Sequence, residues 1–133
     1  MGTVTKQYES TERQIIGILD IAKINQILGI DYQMSPHVWM YPGLKKHVQK
    51  RHPGIWELYH QHIPDIIQNP DYIGQNPKEP NSIELVKQIS DSILLAIKID
   101  PSGYLFISTF YDLKNAENKV QKRLRSGRLK PYE

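Results

Sequence analysis

Apolar residues along this chain fall into short segments with two different spacings, and the spacing changes near residue 80. Before that point they recur at helical intervals. Ile21, Ile24, Ile27 and Leu28 form one set, Leu44 and Val48 a second, and Trp56, Tyr59, Ile63, Ile66 and Ile67 a third. After it, compact runs over 82–89, 93–99 and 104–113 read as strands. Asp100, Pro101, Ser102 and Gly103 make a turn that joins the last two as a hairpin.

The punctuation between these runs refines the elements. Residues 14–20, short and rich in β-branched side chains, predict a strand feeding a helix over 21–28, with Asp20 as its cap and Gly29 as its stop. One continuous helix from Thr11 is the competing reading. Residues 37–41 predict a second short strand. Pro42 then suits the first turn of a helix over 43–51, which Pro53 and Gly54 break. Residues 55–68 predict a helix kinked or split at Pro64. Residues 69–77 are dense in turn formers around Tyr72 and Ile73 and predict a loop with at most a very short strand. A basic amphipathic helix is expected over 115–125, stopped by Gly127, and residues 1–13 read as a loose polar arm. Helices first and an antiparallel sheet second give an α+β fold in one domain over residues 1–133.

Composition adds bounds rather than identity. Hydrophobic residues make up 39% and charged residues 23% of 133, an ordinary balance for a globular domain. No long apolar run and no charged-then-apolar amino terminus suggest a membrane span or a signal peptide. The chain has no cysteine, which excludes disulfides, thiolate metal sites and a cysteine nucleophile, and fits a cytoplasmic protein.

Charge changes the picture more. The net charge is only +3, yet residues 41–52 carry Lys45, Lys46, Lys50 and Arg51 with His47 and His52 and no acid. Residues 114–130 carry seven cations against one acid. If the fold brings these two blocks together they form a cleft attractive to a polyanion; apart, they are two solvated faces.

Histidine among cations suits metal-free cleavage of a phosphodiester, or else a phosphate-binding surface. On a helix His47 shares a face with Lys50 and Arg51, whereas His52 lies roughly 140° of rotation away. Both face one cleft only if the chain unwinds before Pro53. On the last strand, strict alternation would group Tyr104, Phe106, Ser108 and Phe110 on one face, and Leu105, Ile107, Thr109 and Tyr111 on the other. Ser108 or Thr109 then opens onto a cleft to bond a phosphate oxygen, with Tyr111 stacking on a base or donating its hydroxyl. There is no P-loop, GxGxxG, HExxH, GxSxG or zinc-ligand spacing. His60 and His62 make a weak metal pattern, and Asp65, Asp71 and Asp91 form no compact set. No metal site and no cofactor are expected.

The run from His47 through His52 and Pro53, the segment 63–74 ending in Asn69, Pro70, Asp71, Tyr72, Ile73 and Gly74, the paired strands, and residues 107–111 before a basic helix together resemble the phage and mobile-element branch of the barnase–EndoU–colicin–RelE nuclease superfamily. The likeness spans roughly residues 37–125. It implies amino-terminal helices on a twisted antiparallel sheet, with a site on the exposed sheet surface. It also implies metal-independent RNA cleavage leaving a 2′,3′-cyclic phosphate, in a prophage-borne, toxin-like setting. Under that resemblance His47, His52 and Thr109 are the catalytic candidates. Lys50, Arg51, Ser108, Tyr111, Lys119 and Arg123 are the substrate-binding ones. RNA, with tRNA as one candidate, is the expected partner, a cognate inhibitor protein a further one, and a cytoplasm the place of action. A non-catalytic nucleic-acid-binding phage protein is the leading alternative, and a phage structural or interaction protein a third reading.

Overall fold

The structure, a computed structural model, describes residues 12–133. The polar arm expected over residues 1–13 lies outside them except for Glu12 and Arg13. Strand β1 (Gln14–Ile18) leads into helix α1 (Ile21–Leu28). Asp20 accepts a hydrogen bond from the Lys23 amide at 3.1 Å, and Gly29 closes α1 in the left-handed region at φ 69°. Strand β2 (His37–Met40) is followed by α2 (Leu44–Arg51). The segment 55–68 is split, not merely bent. Helix α3 (Ile55–Tyr59) passes through a single 3-10 turn, His60–His62, into α4 (Ile63–Gln68), with Pro64 in the first turn where a missing N–H costs nothing.

Strands β3 (Tyr72–Asn76), β4 (Glu79–Gln88), β5 (Ser92–Ile99) and β6 (Leu105–Asp112) follow, then helix α5 (Ala116–Ser126) and a short strand β7 (Leu129–Pro131). The seven strands among the described residues form one sheet in the order β1-β2-β6-β5-β4-β3-β7. The fold is α+β, but the sheet is mixed, because β2 runs parallel to β6 through Val38–Leu105 and Trp39–Phe106. Residues 72–76, expected as little more than loop, pair on both sides, with β4 and with β7.

One face of the sheet carries the main core. Phe110, Leu85, Leu95, Ile83 and Ile97 pack there with Ile24, Val48, Trp56, Ile63, Ile66 and Ile67 from α1 to α4. The other face holds a smaller cluster in which Val120 and Leu124 of α5 cover Val86, Leu94 and Leu113. No helix among the described residues is long and apolar enough to cross a membrane.

Strict alternation fails in β6. Ala96 pairs with Thr109 but Ile97 pairs with Ile107, so Ser108 is an extra residue in a β-bulge. Leu105, Ile107 and Phe110 all join the main core. Ala96 and Lys98, two apart on β5, share the opposite face, and their partners Thr109 and Phe106 therefore share it too. The expected grouping of Phe106 with Phe110, and of Ile107 with Thr109, is corrected by this one-residue insertion.

Candidate active site

Two rows of side chains cross the α5-covered face. Glu84, Ala96 and Thr109 are register partners in one, and Val86, Leu94 and Tyr111 in the next. Helix α5 rests on the apolar part of these rows through Val120 and Leu124. Successive helical residues turn by about 100°, so Lys119 and Gln121 project to opposite sides of Val120. Arg123, one turn after Lys119, shares its side.

His52 reaches this face because the helix stops short of it. Its backbone, at φ −137° and ψ 72°, has left the helical region, as the following proline demands. The imidazole stacks on Tyr111, with ring centroids 4.9 Å apart and planes 23° apart. At the other end of the same basic segment, Tyr41 meets Phe106 edge-on at 5.9 Å. The segment 41–52 is thus pinned along β6 at both ends.

The electrostatics separate the two rings. Burial lowers the His52 pKa first, the charges of His47 and Arg51 lower it further, and Asp112 opposes them. The imidazole is therefore neutral near pH 7 and can accept a proton. Burial raises the Tyr111 phenol, with Glu84 adding to the rise and the Arg123 and Arg128 guanidiniums opposing it. That phenol keeps its proton and can donate a hydrogen bond.

Two buried polar atoms here have no hydrogen-bond partner: Thr109 Oγ1 and Arg123 Nη1. Leaving such a group unsatisfied costs about 1–3 kcal/mol, more when it is charged. Both belong to side chains suited to a phosphate oxygen.

Glu84 and Arg128 were not anticipated. Arg128 donates from Nε and Nη2 to the two Glu84 carboxylate oxygens at 2.8 Å each, a bidentate pair whose acid is buried. The available signal was a lone acid inside the apolar run of β4. Arg128 is fixed in turn by Gly74, where a Cβ would fall 1.8 Å from the Arg128 carbonyl oxygen. Only glycine admits that approach. This gives the 69–74 segment a structural purpose. Asp71 helps, accepting from the Gln88 amide while its carbonyl accepts from Tyr132.

The remaining candidates are less central. His47 is exposed on α2 and reaches His52 through its charge. Lys50, Arg51 and Lys119 are exposed. Ser108 spends its hydroxyl on the Ala96 carbonyl at 3.3 Å, inside the bulge. One residue of each basic block reaches Tyr111, His52 through its stack and Arg123 through its charge.

A cavity of about 810 Å³ lies on the other flank of α5, against Tyr72, Val86 and Gln121, and Asp71, Glu117 and Glu133 line it without a single cation. Its sign is wrong for a polyanion. Among the described residues no three His, Asp or Glu side chains group so as to hold a metal ion.

A neutral imidazole stacked on a protonated phenol, with two guanidiniums acting on that phenol, can hold a phosphodiester and move its protons. No curated protein and no solved structure matches the chain. A family model described as phage-Barnase-EndoU-ColicinE5/D-RelE like nuclease3 matches residues 14–121, which take in β1 to β6 and half of α5. The chain belongs to this nuclease family.

Proposed function

We propose that the protein is an endoribonuclease that cleaves by transesterification and needs no metal. His52 takes the proton of a ribose 2′-hydroxyl, and the 2′-oxygen attacks the adjacent phosphorus. The bond to the 5′-oxygen breaks, that oxygen receives a proton, and a 2′,3′-cyclic phosphate remains. Tyr111 or His47 supplies the returning proton. Arg123 and Arg128 offset the charge that builds on the nonbridging oxygens, and Thr109 bonds one of them. Lys50, Arg51 and Lys119 draw in the phosphate chain.

The observation that carries this reading is the His52–Tyr111 stack with Arg123 acting on the same phenol. The burial that lowers the imidazole and raises the phenol prepares one group as a base and keeps the other a donor. A toxin-like role in a target cytoplasm, opposed by an inhibitor protein, extends the family's phage and colicin description and rests on that alone.

The test is incubation of the purified protein with total RNA and with tRNA in excess chelator, followed by mapping of the new ends. Cyclic-phosphate ends that vanish in His52→Ala support the reading. Intact RNA across pH 5–9, or cleavage only when a divalent metal is added, overturns it.

A further inference from the structure

Four aromatic rings on the α5-side face of β2 and β6 belong to neither hydrophobic cluster. Trp39, Tyr41, Tyr104 and Phe106 are all half-buried. Trp39 and Phe106 are register partners, and Phe106 shares its face with Thr109 across the bulge. Phe106 is the hub. Tyr41 meets it edge-on at 5.9 Å, and Tyr104 lies tilted at 6.2 Å.

The group is held in place. The Tyr41 hydroxyl, burial and Asp100 together push the Tyr104 phenol up to about 12, so the Tyr104 phenol keeps its proton and stays engaged with Tyr41. Cations sit among the rings. The Arg13 guanidinium lies 4.0 Å over Trp39 and 5.9 Å from Tyr104, and Lys98 is the register partner of Phe106. Ile15, the partner of Trp39 on β1, is 43% exposed and continues the apolar rim.

Rings without a core role, interleaved with cations, are the makings of a stacking surface for unpaired bases. The patch is also continuous with the candidate active site. Phe106 and Tyr111 are five residues apart on β6, roughly 16 Å at 3.3 Å per residue. The segment 41–52 links them, touching Phe106 with Tyr41 and Tyr111 with His52. A nucleic-acid strand leaving His52 along β6 therefore meets these rings next. A protein partner would find the same apolar rim but has no such continuity to recommend it.

We propose that Trp39, Tyr41, Tyr104 and Phe106 form a stacking subsite for unpaired bases flanking the scissile phosphate, so that the substrate is single-stranded or looped RNA. The identity of the strand as RNA rests on the ribonuclease reading; the stacking does not.

The experiment measures binding of a short, labelled 2′-O-methyl RNA, which 2′-hydroxyl attack cannot cleave, and of the same sequence as a duplex. Tyr41→Leu and Phe106→Leu keep apolar bulk but remove the π-face, and thermal unfolding checks that each folds. Losing one base–aromatic stack weakens single-strand binding by about tenfold or more. The expected result is that loss in both variants, with single strand preferred over duplex in the unaltered protein. Equal affinity for the duplex, or unchanged affinity in both folded variants, overturns the proposal. So does an altered self-association with RNA binding intact, which marks the patch as a protein interface. Cleavage by the same preparations is scored separately. Ring-dependent binding without cleavage sinks the ribonuclease reading and leaves the subsite standing, whereas cleavage with ring-independent binding does the reverse.

Discussion

The His52 imidazole and the Tyr111 ring lie nearly parallel, 4.9 Å apart, so the base candidate is oriented by an aromatic face and not by a carboxylate. Removing the imidazole and removing only the phenol hydroxyl are therefore separable. His52→Ala should lower kcat by about 10²–10⁴-fold, the usual contribution of a general base. Tyr111→Phe keeps the stack and should cost less unless the hydroxyl returns the proton. Single-turnover cleavage of one defined RNA, with affinity measured on its 2′-O-methyl form, distinguishes the two.

The lowered His52 pKa fixes the direction of the pH response. The acidic limb of kcat/KM should inflect below the ordinary histidine value of about 6.5. His47→Gln removes a nearby positive charge and should move that limb up, while Asp112→Asn should move it down. Folding favours the neutral ring, so the stability His52 contributes is complete above about pH 6.5 and is lost as pH falls through its folded pKa. Urea midpoints at pH 7.5 and 5 should differ less in His52→Gln.

Thr109→Val tests whether a buried hydroxyl without a partner is kept for the substrate. Valine has nearly the same shape and nothing to satisfy, so stability should be unchanged or slightly higher. Cleavage should fall. A variant that is both fully active and more stable would remove Thr109 from the site.

Gly74→Ala should be destabilising by about 1–3 kcal/mol, the usual cost of forcing atoms into filled space, read as a drop in the urea midpoint. Because the clash is with the Arg128 carbonyl, cleavage should fall even at temperatures where the variant remains folded.

The buried Glu84–Arg128 pair should be costlier to halve than to delete. Either Glu84→Leu or Arg128→Met alone leaves one charge without its partner, at about 3–5 kcal/mol, whereas the double variant should recover much of that loss. Chemical denaturation of the three variants closes the cycle.

Local signals made parts of this architecture readable. Helix α1 follows from Asp20, the helical spacing of Ile21, Ile24 and Leu28, and Gly29, all agreeing. The unwinding that frees His52 is a local consequence of Pro53. What stayed hidden is non-local. The Ser108 bulge depends on how β6 meets β5, and it decides that Thr109 and Tyr111 share a face with Phe106. Strand β7 is three residues long, ends in a proline and exists only because β3 offers an edge. The parallel pairing of β2 with β6 joins segments over sixty residues apart and leaves no periodic trace. Glu84 is a lone acid in an apolar run and Arg128 one cation among many, and nothing local ties them together; their pairing is a product of the fold.

Helix α5 lies across the sheet like a watershed. On one side His52 and Arg123 meet at Tyr111, and on the other Asp71, Glu117 and Glu133 line the large cavity. The cavity's carboxylates repel an approaching polyanion and direct it to the shore that holds His52. An acidic protein mimicking the substrate would have to occupy that same shore and would silence the enzyme by doing so. A basic partner would settle on the opposite bank, where it could tether the nuclease to another surface while leaving its chemistry open.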